Sequence, residues 1–390
     1  MFELADCMSR LGTESAFQVL SKARALEAQG RDVIHLEIGE PDFNTPAHII
    51  EAACRALHEG WTHYTPSAGI PELTNLIAEQ LGERRRQPIS PAQVVVTPGG
   101  KPIMFFTLLA LAQPGREVIY PDPGFPIYRS MIEFCGAKAV PLPLREDLDF
   151  AFQLDELKPL INDRTALIIL NSPQNPTGGI IEAKDLKAVA EICAEHNIPV
   201  LSDEIYEQIT YDGEFQSIST YPGMSTSERT IILHGFSKTY AMTGWRLGYG
   251  VMPEWLAEHI KRLMVNSNSC TNAATQWAGV AALTGSQEPV AEMVAAFRQR
   301  RDVIVEGLNS IPGITCRKPR GAFYVFPNIT GTGLSSQQCE DLLLQEAGVA
   351  ALSGTSFGIY GEGYLRLSYA NSVENIEKAI ERIRATLARA

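Results

Sequence analysis

Ala166-Leu167-Ile168-Ile169-Leu170 runs straight into Asn171-Ser172-Pro173-Gln174-Asn175-Pro176-Thr177-Gly178. Five successive apolar residues without alternation read as a strand buried on both faces of a parallel sheet. The two prolines and the glycine that follow exclude a helix and hold the Asn175 amide in a fixed place. Working outward, similar short runs recur at residues 94–96, 117–120, 199–202 and 230–233. Between them lie segments such as 183–196, whose apolar positions fall at helical spacing. The alternation predicts an α/β fold, an open and mainly parallel sheet covered by helices.

The two ends read differently. Residues 15–30 and 289–309 are amphipathic helix candidates, with Ser15 capping the first and Pro289 in the opening turn of the second. Residues 322–326 and 364–369 read as strands, and 373–388 as a closing helix. A smaller α+β domain built from both termini follows. The expected division is 1–44 and 285–390 for that domain, with 45–284 as the large one and a join near Gly285.

At 390 residues the chain exceeds one simple core, and its 45% hydrophobic and 20% charged content is ordinary for a globular protein. A net charge of −12 disfavours nucleic acid and anionic membrane as partners. The seven cysteines are odd in number and form no Cys-x-x-Cys pair, which speaks against a disulfide framework or a cysteine zinc cluster and fits a reducing cytoplasm. Met1-Phe2-Glu3-Leu4-Ala5-Asp6 lacks the basic-then-apolar pattern of a signal peptide. The apolar run at 104–112 is too short to span a bilayer. His58, Glu59 and His63 lack the spacing of a helical two-histidine zinc site, so no metal is expected.

In such a sheet, ligands collect at the carboxyl ends of the strands, and polar clusters fall there. Val96-Thr97-Pro98-Gly99-Gly100-Lys101 follows a strand and opens a helix, where free N–H groups suit an anion. Asp203-Glu204-Ile205-Tyr206 follows another strand; taken alone, Asp203 is an ordinary helix cap. His234-Gly235-Phe236-Ser237-Lys238 follows a third, with Arg246 eight residues beyond Lys238. Arg366 alternates with apolar neighbours in Tyr364-Leu365-Arg366-Leu367-Ser368-Tyr369.

Singly, each cluster is a turn, a cap or a solvated charge. Their joint order resembles the aspartate-aminotransferase family, the fold-type-I class I and II aminotransferases, in its bacterial aspartate, prephenate and alanine branch. Ile38-Gly39-Glu40-Pro41-Asp42-Phe43 and Tyr64-Thr65-Pro66-Ser67-Ala68-Gly69 match it as well, and the resemblance runs from about Ser15 to the C-terminus.

The resemblance implies a seven-stranded large domain, pyridoxal 5'-phosphate as cofactor, and ping-pong transfer of an amino group from an L-α-amino acid to a 2-oxo acid. Lys238 then holds the cofactor as a Schiff base and moves protons. Asp203 pairs with the ring nitrogen, Asn175 and Tyr206 donate to the ring oxygen, and Phe125 stacks on the ring. Arg246, Ser237 and the N–H groups of Gly100 and Lys101 receive the phosphate, with Gly99 also in the cofactor-binding turn. Arg366 and the Gly39 backbone grip the substrate carboxylate. Tyr64 reaches the phosphate of a neighbouring subunit, which implies a homodimer. Lys101 resembles a lysine that reads a distal carboxylate, which points to acidic substrates.

One departure stands out: Gly235 lies where many relatives carry a serine or threonine, so one phosphate contact is missing unless Ser237 supplies it. A C–S β-lyase of the same fold, a nicotinamide dehydrogenase and a non-catalytic binding protein are the competing readings. The dehydrogenase lacks its Gly-x-Gly-x-x-Gly turn, and the joint presence of the six site groups argues against lost chemistry.

Overall fold

The computed structural model describes residues 2–389. Its strands, in chain order, are β1 (Ile34–His35), β2 (Val94–Thr97), β3 (Glu117–Asp122), β4 (Lys138–Pro143), β5 (Thr165–Asn171), β6 (Val200–Asp203), β7 (Thr230–Gly235), β8 (Gly248–Val251), β9 (Tyr324–Val325), β10 (Val349–Ala350), β11 (Leu352–Ser353) and β12 (Leu365–Ser368). Seven of them form one sheet in the order β2-β8-β7-β6-β5-β3-β4. β8 runs antiparallel to both neighbours, and all other pairings are parallel.

Every residue of β2, β3, β5, β6, β7 and β8 is buried, because helices cover both faces. Alternate residues of a strand point to opposite sides. Val95, Leu167 and Ile231 therefore meet the helices Lys101–Leu111 and Glu254–Ser267. Ile168 and Val200 meet Ala183–Glu195 on the other side, and Val94, Val96 and Ile232 meet Pro71–Arg85 and Ala273–Thr284. Each such side chain contributes roughly 1.5–3 kcal/mol by leaving water.

A second core gathers Phe297, Phe323, Tyr369 and Ile380. Here β9, β12 and β11 form an antiparallel sheet, backed by the helices Glu288–Asn309 and Val373–Leu387. β1 pairs in parallel with β10, Ile34 against Val349.

The five strands expected in the middle of the chain are present. β4 and β8 were not foreseen. β4 is an edge strand carrying Pro141 and Pro143, and it is partly exposed. β8 reads Gly-Tyr-Gly-Val, a poor strand by composition. Its glycine is a packing requirement: a Cβ on Gly248 would lie 2.4 Å from the Gly100 nitrogen.

Three local readings are corrected. Ser15 begins the helix Ser15–Glu27 but does not cap it; Glu14 holds the cap position without a capping bond, and its side chain is drawn to Lys101 instead. The strand expected at 322–326 shrinks to β9, because Ala322 takes a φ of 56° that no strand tolerates. Asp203 opens a tight turn rather than a helix, with Oδ1 accepting from the Ile205 N–H at 3.3 Å.

Candidate functional site

The parallel strands all end on one edge of the sheet, and register fixes what meets there. Asn171 at the end of β5 lies opposite Asp203 at the end of β6. Asn171 Nδ2 donates to the Asp203 carbonyl at 3.0 Å, and its Oδ1 accepts from the Asn175 N–H at 2.9 Å. One buried amide thus pins both the turn that carries Asn175 and the strand end that carries Asp203.

A cavity of about 970 Å³ opens above this edge. It brings together Gly39, Gly100, Lys101, Phe125, Asn175, Asp203, Tyr206, Ser237, Lys238, Arg246 and Arg366 from the sequence reading. Gly99 and Tyr64 do not line it, and Tyr64 is 87% exposed.

Lys238 stands in the middle. Its Nζ donates to the Gly39 carbonyl and lies 5.9 Å from the Tyr206 ring centre and 5.6 Å from that of Phe323. Among the described residues, no carboxylate forms an ion pair with it. Burial, reinforced by the Arg366 charge, lowers its pKa to about 8. An amine held this way is neutral for much of the time near pH 8, which is what a nucleophile requires.

Asp203 is its acidic counterpart. Burial raises the carboxyl to about 6, opposed by the donors Tyr128 and Ile205. The Tyr128 hydroxyl donates to Oδ2 at 2.6 Å, and among the described residues no Lys or Arg pairs with the carboxylate. Burial also holds the Tyr206 phenol well above its ordinary range, so it stays protonated and able to donate.

Arg366, 4% exposed, projects from β12. It donates to Asn175 Oδ1 at 3.3 Å and to the Glu37 carbonyl. It lies over the rings of Tyr324 at 4.6 Å and Phe357 at 5.0 Å. Its Nε is buried with no partner, an unused donor of the kind a carboxylate would satisfy.

The anion-binding corner is built from backbone. Gly100 caps the helix Lys101–Leu111 with no side-chain bond; Pro102 has no N–H and the Ile103 N–H returns to the Gly100 carbonyl at 3.0 Å, so Gly100 and Lys101 are the N–H groups left for an anion. A Cβ on Gly99 would fall 2.3 Å from Arg246 Nη2, so only glycine there lets the guanidinium lie against the turn. At Gly235, the departure from relatives has a steric cause. Gly235 faces Gly248 across the β7–β8 pair, and a Cβ would meet the Gly248 Cα at 3.0 Å.

Behind the turn that carries Asp203 and Tyr206 lies a buried charge network. Arg85 Nη2 donates to Glu204 at 2.7 Å and to Glu207 at 2.6 Å, and His234 contacts Glu207 at 3.1 Å. Burial alone would raise Glu207, but His234 and Arg85 outweigh it and hold the carboxyl well below the usual range.

Sequence reasoning missed Tyr128, Tyr324, Glu14 and Arg85. Tyr128 sits three residues after Phe125, one helical turn on, which was a usable signal. Tyr324 looked like core in an apolar strand. Glu14 and Arg85 come from distant segments and carry no local signature.

The donor set suits pyridoxal phosphate. It offers an unpaired buried amine, a buried acid without a basic partner, and an uncapped helix start beside an arginine.

Residues 31–383 match the family described as aminotransferase class I and II. The chain is 41% identical over 388 residues to an aspartate aminotransferase of Musicola paradisiaca, covering 98% of this chain and 96% of that one. It is 38% identical to an aromatic-amino-acid aminotransferase 2 of Thermococcus litoralis, covering 98% of each chain. Among solved structures, the aspartate aminotransferase of Rhizobium meliloti superposes with a TM-score of 0.95 at 35% identity over 100% of each chain. The maleate-bound enzyme of Thermus thermophilus gives 0.94 at 36% identity, over 99% of this chain and 100% of that one.

Proposed function

This chain belongs to the class I and II aminotransferase family, and from that premise we propose the working roles of its site residues and aspartate as its amino donor. The protein is a pyridoxal-phosphate-dependent transaminase that moves an amino group between an α-amino acid and a 2-oxo acid. Bound pyridoxal phosphate supplies an aldehyde that condenses with amines and a ring that draws electrons from the substrate α-carbon.

The chain's own groups do the rest. Lys238 holds the cofactor and, once free, moves a proton at the substrate α-carbon. Asp203 pairs with the ring nitrogen. Asn175 and Tyr206 donate to the ring oxygen, and Phe125 lies against the ring. Arg246, Ser237 and the N–H groups of Gly100 and Lys101 take the phosphate, while Gly99, whose own N–H donates to the Thr97 carbonyl at 2.8 Å, gives Arg246 its room. Arg366 and the Gly39 backbone orient the substrate carboxylate, and orientation is a large part of the catalysis.

The observation that carries this reading is the buried Lys238 amine, unpaired by any carboxylate, in one cavity with Asp203, Asn175, Tyr206 and Arg366. A visible absorption spectrum tests it. The protein should show a bound chromophore that amino donors bleach, and Lys238→Ala should abolish both the chromophore and at least about a thousandfold of the activity. A chromophore retained unchanged by Lys238→Ala would overturn the assignment.

Lys101 supports the choice of donor. Its Nζ pairs with Glu14 and lies 5.4 Å from the Phe125 ring centre. A distal carboxylate is the natural replacement for Glu14, and relatives named aspartate aminotransferases fit that exchange. Lys101→Ala should lower activity on aspartate relative to alanine by about tenfold. An unchanged ratio sinks the acidic-donor reading.

Three further proposals accompany it. The working unit is a homodimer with Tyr64 serving the neighbouring site; its exposed ring, with Ile50 and Leu57 also exposed nearby in the chain, supports a covered surface. A cytoplasmic location is supported by seven unpaired cysteines. The division into 1–44, 45–284 and 285–390 is supported by the pairing of β1 with β10. No helix among the described residues is long and apolar enough to cross a membrane.

A further inference from the structure

Tyr324 lies where three functional groups meet, yet none of the roles above uses it. It is 1% exposed. Its Oη sits 2.8 Å from the Tyr206 Oη, and its ring lies beneath the Arg366 guanidinium. On its third side is Gly39, where a Cβ would fall 2.3 Å from the Tyr324 phenol oxygen. Glycine at that position is what admits the phenol.

β9 places it there. Tyr324 pairs with Ser368 of β12, two residues beyond Arg366. The groups form a continuous chain, because Arg366 also reaches Asn175. The two proposed donors to the cofactor oxygen, Asn175 and Tyr206, are therefore joined through Arg366 and Tyr324.

We propose that Tyr324 is a positioning residue: its hydroxyl donates to the Tyr206 oxygen, strengthens Tyr206 as a donor to the cofactor ring oxygen, and ties that donor to the Arg366 grip on the substrate. The inference rests on the reading of Tyr206 as that donor. The direction of the bond follows from chemistry. Tyr206 spends its own proton on the cofactor oxygen, so toward Tyr324 it has only lone pairs to offer. A hydroxyl that accepts one hydrogen bond becomes a better donor of the next. The titratable and charged groups that face the Tyr206 phenol are Tyr324, Asp203, Arg366 and Lys238. Of these, only Tyr324 shares a hydrogen bond with it.

The experiment is a pH titration of the visible absorption of the holoenzyme in the wild type, Tyr206→Phe, Tyr324→Phe and the double variant. Tyr206→Phe should move the midpoint upward, since a donor to the deprotonated chromophore is lost. Tyr324→Phe keeps the ring beneath Arg366 and should move the midpoint the same way, by roughly half a pH unit. The double variant should move no further than Tyr206→Phe alone. Thermal unfolding of the cofactor-free proteins runs alongside; a purely structural role for Tyr324 would lower the melting temperature and leave the midpoint in place.

If Tyr324→Phe leaves the midpoint unmoved, or the two shifts simply add, the inference fails while the Tyr206 reading stands. If Tyr206→Phe itself moves nothing, both fail. Should Tyr324→Phe not retain cofactor, Gly39→Ala displaces the same phenol by contact. It should give the upward shift in the wild type and no further shift on top of Tyr206→Phe; any other pattern overturns the proposal.

Discussion

Lys238 carries a charge that its surroundings do not welcome. Burial lowers its pKa from 10.5 to about 8, so in the cofactor-free protein the neutral amine grows about tenfold per pH unit up to 8 and then saturates. Cofactor uptake by that protein should follow the same curve, rising from pH 6 to 8 and levelling above. Stopped-flow mixing with pyridoxal phosphate measures it; a rate indifferent to pH in this range would contradict the shifted amine. Asn171 is the second residue to test. Leucine in its place fills similar space but drops the bonds to Asp203 and Asn175. Cofactor retention on dialysis should weaken by about tenfold, with little change in secondary structure by circular dichroism. Lys238, Asp203, Asn175 and Arg366 were legible in the sequence because each sits in a turn or strand whose order along the chain is distinctive. Tyr324 was not, because a tyrosine in an apolar strand reads as core packing, and Tyr128 offered only its three-residue spacing from Phe125.

The helix Pro71–Arg85 illustrates how an element can serve a site it never touches. Its last residue delivers a guanidinium, 5% exposed, to Glu204 and Glu207, on the turn that carries Asp203 and Tyr206. Replacing Arg85 with methionine takes the buried cation from both carboxylates, leaving Glu204 to Ser202 and Ser217 and Glu207 to His234 and Arg84. It should cost about 3–5 kcal/mol in urea unfolding, with looser cofactor binding as a secondary loss. A variant as stable as the parent would mean that the acids relax into water or take up protons. Elements with strong apolar runs were readable, β5 above all. β8 was hidden because its two glycines answer to close neighbours, Gly248 to the Gly99–Gly100 backbone and Gly250 to the Ile103 and Met252 side chains, rather than to strand propensity. β4 was hidden because prolines at an edge look like loop.

At the scale of the whole molecule, the proposed homodimer makes a direct prediction. Sedimentation should give twice the chain mass in active samples, and Tyr64→Ala should weaken cofactor retention without dissolving the pair. Full activity from a monomer would remove Tyr64 from the site. The α/β character and the mainly parallel sheet were legible from apolar runs alone. Which distant segments meet, as Glu14 meets Lys101, was not, since long-range pairing leaves no local trace. The pairing of Ile34 with Val349 has a temporal consequence. As the chain leaves the ribosome, β1 emerges some tens of seconds before its partner strand exists, at roughly 5–20 residues per second. Gly39 and Arg366, at opposite ends of the chain, can come together only after that late closure. On the proposed roles of Gly39 and Arg366, the substrate grip is completed as one of the last acts of synthesis, and a nascent chain halted short of β12 should hold the cofactor pocket's sheet without a handle for the amino acid.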